Sequence, residues 1–348
     1  MRRLVFITQV VDPADANLGA TRAKIAALAR RFDEVAVICD RGVEGVLPDN
    51  CRLHVFGAPT RPQRAVRYVS ALRAELRERP VAVVGHMVPL YTLVAAPFVR
   101  ARRVPLMLWY THWKGHVVLR LAMVACTHLL SLDLRSFPLE SPKLYGIGHG
   151  IDVNEFPCQP VAPVEGRSFR VMSLGRYSPP KKLDEMIEGI RIARERGLDV
   201  RIDLYGTASP GLEASYKQRL EELVARPEYR AFATVGGPIA RTELPPVYAR
   251  ADVVASDFIS PDKIVLEACA SCRPVLASHE SFDTLFEGID PPLAFTRGRP
   301  DTFADRVQDL AALGDDERHT IGETLRERVR TQHSVDTWAD AILRLSRQ

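Results

Sequence analysis

The sequence has no run approaching the roughly 18 uncharged apolar residues that a membrane-spanning helix needs, so no segment is expected to cross a bilayer. The N-terminal apolar stretch in MRRLVFITQVVDPADA is only about eight residues long and runs into acids without a cleavage-like site, so it reads as a buried first strand and not a signal peptide. Cysteine is scarce. The six residues (39, 51, 126, 158, 269 and 272) show no framework spacing, and reduced thiols in a cytoplasmic protein are the expectation. The pattern G-x-G-x-x-G is absent, which excludes the dinucleotide fingerprint. His112 and His116 have metal-like spacing in HWKGH, but the glutamate of a zinc-protease motif is missing and no further ligands are specified. No metal and no cofactor are therefore expected. There is no helix-turn-helix and no aromatic–basic platform, so no nucleic-acid partner is expected either.

What is present is the composition of an ordinary soluble globular protein, 46% apolar and 26% charged. A length of 348 residues suits two domains better than one. The net charge of +4 is unevenly divided. Residues 1–160 hold 21 Lys and Arg against 13 Asp and Glu, an excess of +8, which leaves −4 for the remainder. A basic half beside an acidic half fits a domain that meets an anion, and fits equally an arginine-rich solvated surface.

Hydrophobic periodicity switches between strand and helix along the first half. Strands are expected over 4–10, 35–39, 52–56, 81–84, 106–109, 129–131 and 144–147, and helices over 20–31, 65–77 and 116–125. The stretch NEFPCQPVAPVEGRS (154–168) is rich in proline, has no period and reads as a linker. The alternation then restarts. Strands are expected over 169–174, 200–205, 231–235, 253–255 and 275–277, and helices over 183–194, 213–224, 244–249, 264–270, 302–313, 316–331 and 335–347. Near-continuous apolar strands alternating with helices imply an α/β protein with two doubly wound parallel sheets, each covered on both faces and facing each other across a cleft. The expected domains are 1–160 and 161–331, with 332–348 as a terminal helix. In such sheets ligands bind at the carboxyl ends of the strands, near helix N-termini.

Three stretches of the second half meet that edge. In SLGRYSPPKKLDEMI, Arg176 and Lys181 place a planar fork and a point charge on one strand-to-helix loop, which suits a diphosphate and suits equally a basic loop capping a helix. DLYGTASPG ends a strand at Gly206, where a missing side chain permits close backbone approach. SPDKIVLEACASCRPVLAS (260–278) opens a helix near Lys263 and Ile264, so that free amides over 262–265 point outward as an anion site. Glu267 lies about one turn in, too deep to cap the helix but placed to accept hydrogen bonds from the two hydroxyls of a ribose. Lys263 and the amides of Ile264 and Val265 would take the phosphates of a nucleoside diphosphate, and Glu267 its sugar. Cys269 and Cys272 form a lone C-x-x-C without a second pair and read as packing residues.

The order GR…K, a strand ending in glycine, VGGPI…ELPPVYARADVVAS and LEACASCRPVLAS resembles the donor domain of the retaining glycosyltransferases of the GT-B fold, glycosyltransferase family 4. GIGHGIDVNEF at 146–156 is similar to that family's segment before the linker. The resemblance implies two facing Rossmann-like domains, with the final helix crossing back onto the first. It implies transfer of a sugar from a UDP- or GDP-linked donor to a hydroxyl acceptor with retention of configuration, in cell-envelope or polysaccharide synthesis. By the same resemblance Arg176 and Lys181 bind the diphosphate, Glu267 binds the ribose, and the backbone near Pro238 and Ile239 meets the base. The chain departs from the family at three positions. Ile259 stands where a first glutamate usually helps hold the transferred sugar, with Asp257 or Asp262 as substitutes if the loop is re-threaded. Lys182 and Cys272 stand where glycine is usual.

In the first half, NLGATRAKIAALARR sets Gly19 where a strand-to-helix turn needs a residue without a side chain, and the resemblance implies that this loop faces donor and acceptor. LMLWYTHWKGH ends a strand at Trp109 and sets His112 just beyond it, in the position of a family histidine that touches the donor sugar. His86 holds the equivalent place on the neighbouring strand. Either histidine also suits a structural hydrogen bond. TRPQRAVRYVSALRAELRERP is an amphipathic helix with Arg61, Arg64, Arg67, Arg73 and Arg77 around its polar sides. It is a solvated face, or a patch for anionic lipid headgroups, and the latter implies peripheral contact at the inner face of a membrane and a lipid-linked acceptor. Two other readings stay open. A sugar-nucleotide epimerase of the same architecture needs a pair of acid/base carboxylates that the sequence does not show convincingly. A non-catalytic nucleotide-sugar-binding partner protein is supported by Ile259.

Overall fold

The computed structural model describes residues 2–15, 18–159 and 167–348. The chain divides into two compact units, Met1–Asp152 with Gln332–Gln348, and Val153–Thr331. Residues 160–166 of the linker expected over 154–168, and with them the expected boundary between 160 and 161, lie outside the described residues.

The first unit is built on a seven-stranded parallel sheet: β1 (Arg3–Val11), β2 (Glu34–Gly42), β3 (Cys51–Val55), β4 (Ala82–His86), β5 (Leu106–Trp109), β6 (His128–Ser131) and β7 (Leu144–Gly146), in the order β3-β2-β1-β4-β5-β6-β7. Strands β4, β5 and β6 are buried at every residue, as a parallel sheet covered on both faces requires. Its helices are α1 (Thr21–Ala29), α2 (Arg61–Arg77), α3 (Pro89–Ala101) and α4 (Val117–Ala125). Helix α3 is absent from the sequence reading. Apolar residues lie on its exposed side as well as its buried one, Leu90 and Val94 against Ala95, Ala96 and Val99, and Pro97 sits inside it. That spreads the apolar stripe and puts a helix breaker within it, which removes the periodic signal. Helix α2 also starts earlier than expected, because Thr60 accepts a hydrogen bond from the Gln63 amide and Pro62 fits the first turn.

The second unit carries a five-stranded parallel sheet of β8 (Phe169–Leu174), β9 (Val200–Tyr205), β10 (Ala233–Val235), β11 (Val253–Ser256) and β12 (Val275–Ala277), in the order β10-β9-β8-β11-β12. Around it run α5 (Leu183–Glu195), α6 (Leu212–Val224), α7 (Leu244–Tyr248), α8 (Lys263–Ala270), the short α9 (Asp283–Phe286), α10 (Pro300–Ala311) and α11 (Asp315–Gln332). Two doubly wound Rossmann-like sheets are thus present, as the alternating pattern implied. Lys182 and Cys272, which stand where glycine was expected, both adopt the left-handed conformation, with φ of 51° and 56°. The backbone keeps a glycine-type turn there although the residue carries a side chain.

The cysteine reading needs one correction. Cys272 is bonded to Cys158 in a disulfide with a Cα–Cα distance of 5.1 Å, so it is not a free packing thiol. A partner 114 residues away leaves no spacing signal in the sequence. Cys269 is fully buried, and burial pushes its thiol well above the usual range. Cys39, Cys51, Cys126 and Cys269 are free.

The last helix, α12 (Val335–Leu345), belongs to the first unit. Ser334 caps it and pairs in a bridge with Ile151. Trp338 is fully buried edge-on to Phe6 and Trp109, with ring centroids at 6.3 and 6.4 Å, and Arg31 pairs with Asp336 and Asp340. The α12 face is therefore part of the core of this unit. Trp338→Ala is expected to cost about 3–5 kcal/mol, read as a lower denaturation midpoint, whereas a change below about 0.5 kcal/mol would show that the helix is only loosely attached.

Candidate active site

Because each sheet is parallel, all carboxyl strand ends of a unit share one edge. In the second unit that edge is drawn together by one buried ion pair. Gly175 follows β8 at φ 120°, and a β-carbon there would lie 2.5 Å from the Lys181 ammonium. Lys181, in a 3-10 turn over Pro179–Lys181, donates to the Leu174 carbonyl at 2.9 Å and to Asp262 Oδ2 at 2.5 Å. Asp262 precedes α8 and also accepts from the Ser256 hydroxyl at 2.9 Å. The ends of β8 and β11 and the start of α8 are thus joined through a single ammonium and a single carboxylate. Only 8% of the one and 11% of the other side chain is exposed.

The remaining expected residues of this unit gather around that junction with different degrees of freedom. Arg176 is half-exposed and donates to Glu213 at 3.1 Å, close to the start of α6. At Gly206 the approaching backbone is the protein's own, since a β-carbon there would lie 1.6 Å from the Gly175 carbonyl oxygen. Pro238 is exposed and Ile239 half-buried on the segment after β10. On α8, Ile264 and Val265 are buried, and the Val265 amide donates to the Asp262 carbonyl at 3.2 Å, so it is turned to the chain and not outward as expected. Lys263 reaches Glu267 Oε1 at 3.2 Å.

Glu267 is only 2% exposed. Arg241 donates to its Oε1 at 2.9 Å, and the Tyr248 hydroxyl donates to Oε2 at 3.3 Å. Arg241 also pairs with Glu155. Burial pulls the Arg241 guanidinium down, but the charges of Glu267 and Glu155 outweigh it and leave the group above its ordinary value. Burial, reinforced by the Glu267 charge, lifts Tyr248 well above the usual phenol range. Arg241, Tyr248 and Glu155 were missed at the sequence level. Their partners lie 26, 19 and 86 residues away, and no local period links them.

Ile259 is 39% exposed. Neither candidate substitute is free at its side. Asp257 accepts from the Ser278 hydroxyl at 2.7 Å and the Gly298 amide at 2.8 Å, with burial holding its carboxyl above the usual range. Asp262 is held by Lys181 as described.

In the first unit the expected residues separate. Gly19 closes the turn before α1, where a β-carbon would meet the Asp15 and Pro13 carbonyl oxygens at 2.7 and 2.8 Å. His86 is enclosed. Its Nδ1 is 3.3 Å from Thr8 Oγ1, its Nε2 is 3.2 Å from Lys24 Nζ, and it stacks on Trp109 at 4.9 Å. Burial and the Lys24 charge hold it well below the usual imidazole range. The structure thus places His86 in the core of the first unit. His112 is half-buried just beyond β5, stacked on Trp113 at 5.8 Å, and its Nδ1 accepts from the Lys114 amide at 3.0 Å. His116 caps α4 by accepting from the Leu119 amide. Among the described residues no group of three or more His, Cys, Asp or Glu could hold a metal ion.

Burial separates the two cations of the β8 loop. Lys181→Met leaves Asp262 without its counter-charge and is expected to cost about 3–5 kcal/mol of stability. Arg176→Ala breaks a half-exposed pair and is expected to cost less than about 1 kcal/mol. Urea unfolding of both variants checks this, and equal losses would contradict it.

Residues 168–312 match the family model "Glycosyl transferases group 1". No curated protein matches the chain. Solved structures similar over nearly the whole length include sucrose-phosphate synthase from Thermosynechococcus elongatus (18% identity, 100% of this chain and 99% of that one, TM-score 0.74). HepE of Anabaena, solved with UDP-glucose, matches at 18% identity over 100% of both chains with a TM-score of 0.77. WaaG, a glycosyltransferase involved in lipopolysaccharide biosynthesis, matches at 14% identity over 98% of this chain and 99% of that one with a TM-score of 0.65. The chain therefore has the two-domain fold of GT-B glycosyltransferase structures, and its residues 168–312 are similar to the glycosyl transferases group 1.

Proposed function

We propose that the chain transfers a sugar from a nucleoside diphosphate sugar to a hydroxyl acceptor with retention of configuration, as a member of glycosyltransferase family 4. The observation that carries this reading is the convergence of Lys181 and the start of α8 at the carboxyl edge of the second sheet. A cation and a helix N-terminus there suit a pyrophosphate. UDP is the proposed nucleotide, supported by the UDP-glucose complex of HepE. A cell-envelope or polysaccharide acceptor is supported by the lipopolysaccharide context of WaaG.

In the proposed reaction the bond between the sugar's anomeric carbon and the diphosphate oxygen breaks. Its electron pair leaves with the nucleoside diphosphate. The acceptor oxygen bonds to the same face of that carbon and passes its proton to the departing phosphate oxygen. Arg176, Lys181 and the α8 N-terminus stabilise the charge that develops on the leaving group, which makes a metal cofactor unnecessary. Gly206 lets the loop after β9 lie close to β8, Pro238 and Ile239 meet the base, and the amides of Lys263 and Ile264 that open α8 meet the phosphates while the Lys263 ammonium stays with Glu267. His112 and the Gly19 turn are the first unit's proposed contributions, to the donor sugar and to the acceptor. His86 is enclosed by Lys24 and Trp109 and is assigned no contact with the substrate.

Arg176 is half-exposed and paired with Glu213, which keeps the Ser209 amide as a partner when the arginine is removed, so its loss tests chemistry without disturbing the core. Arg176→Ala is expected to lower turnover by about 100-fold or more, measured as nucleoside diphosphate release with an acceptor present; unchanged turnover contradicts the role. Exposed Ile259 favours a second reading, a nucleotide-sugar-binding protein without catalysis. That reading predicts nucleotide binding with no release under any acceptor.

Peripheral membrane contact is proposed on the face of α2, α3 and α4. Arg61, Arg67, Arg73 and Arg77 of α2 are exposed, although Arg67 also bonds the Gly57 carbonyl. On α4, Val117, Leu121 and Val124 stand in a row, 71%, 52% and 73% exposed. Among the described residues no helix is long and apolar enough to cross a membrane. The protein is expected to sediment with anionic vesicles at low salt and to be released at high salt. No sedimentation at low salt contradicts the contact.

A further inference from the structure

The ion pairs around Glu267 point beyond a static ribose site. Three groups hold its carboxylate: Arg241 at 2.9 Å and Lys263 at 3.2 Å on Oε1, and Tyr248 at 3.3 Å on Oε2. A carboxylate offers about four lone-pair directions, and this one is 2% exposed. A pair of sugar hydroxyls can reach it only if one partner gives way.

The partners differ in what they would lose. Tyr248 is fully buried at the end of α7 and packs against Phe156, so its ring has no room to turn. Lys263 sits one turn before Glu267 on the same helix and is 25% exposed. Arg241 opens a 3-10 turn (Arg241–Glu243) on the segment that carries Pro238 and Ile239. Its guanidinium bridges Glu267 to a second carboxylate, Glu155, and lies over the Phe156 ring at 5.5 Å. An arginine that lets go of Glu267 therefore keeps a counter-ion and a ring to lie on. Exchange at this partner avoids the large penalty of leaving a buried charge alone.

We propose that Arg241 is a latch on the nucleotide site: its guanidinium closes the Glu267 carboxylate, and a nucleoside diphosphate binds by displacing it onto Glu155. The proposal rests on the reading of Glu267 as the group that accepts the ribose hydroxyls. It makes Arg241 a determinant of nucleotide affinity through its competition for one carboxylate. It also gives Glu155 the opposite effect, since Glu155 draws the latch open.

Calorimetric titration of the full chain with UDP, and with GDP in parallel, tests the proposal on wild type, Arg241→Met, Glu155→Gln and Glu267→Gln. The nucleotide that binds wild type more tightly is carried forward. Arg241→Met is expected to bind it about tenfold more tightly, because Lys263 and Tyr248 still orient the freed carboxylate. Glu155→Gln is expected to bind it several-fold more weakly, because the guanidinium then has Glu267 as its only anion. A purely structural role for the bridge would weaken binding in both variants. Unchanged or weaker binding by Arg241→Met overturns the latch. If thermal unfolding shows that Arg241→Met does not fold, Glu155→Gln decides alone, and unchanged or tighter binding overturns the proposal. Glu267→Gln separates the two layers. Unaltered affinity in that variant, or no binding to wild type, defeats the ribose reading and the latch together. Weakened affinity beside an unimproved Arg241→Met defeats the latch alone.

Discussion

A charge removed from water must be answered within hydrogen-bond reach, and the edge of the second sheet is organised by that requirement. Lys181 and Asp262 satisfy each other at 2.5 Å and in doing so join the ends of β8 and β11 to the start of α8. Glu155, Arg241, Glu267 and Lys263 form a second charged chain that ends on the same helix. The first chain ties the loop that carries Arg176 to the start of α8, and the second joins the segment that carries Pro238 to the same helix. If Asp262 lost Lys181, the helix end would lose the geometry on which an anion site depends.

Much of the fold was legible because parallel sheets write themselves into sequence as apolar runs between helical periods. Strands β4, β5 and β6 are buried at every position and were read directly. Helix α3 was not, because Pro97 and the exposed Leu90 and Val94 blur its stripe. The candidate site was legible where it depends on local order: Gly175 before a cation, glycine at the end of β9, a helix opening at Lys263. It was not legible where it depends on pairing at a distance. Arg241 meets Glu267 and Glu155 across 26 and 86 residues, and Cys158 meets Cys272 across 114. Nothing in composition or period reports such contacts. His86 shows the opposite failure. Its position at a strand end was read well, yet burial beside Lys24 and Trp109 decides what it touches.

The departures from the resembling family divide in the same way. Lys182 and Cys272 replace glycine but retain the left-handed backbone that glycine would supply, so the turns survive the substitution. Ile259 replaces a carboxylate with an exposed apolar side chain, and the neighbouring Asp257 and Asp262 are already committed to Ser278, Gly298 and Lys181. Backbone demands are thus met by other residues, while the acid is not replaced nearby. Under the proposed function, that difference falls on the part of the site that would hold the transferred sugar.

The most direct test of the central claim is a crystal structure of the chain with UDP bound. The account predicts the diphosphate against the first amides of α8 and Lys181, with the pentose hydroxyls on Glu267. A nucleotide bound away from α8, or one that leaves Glu267 closed by Arg241, Lys263 and Tyr248, would contradict it.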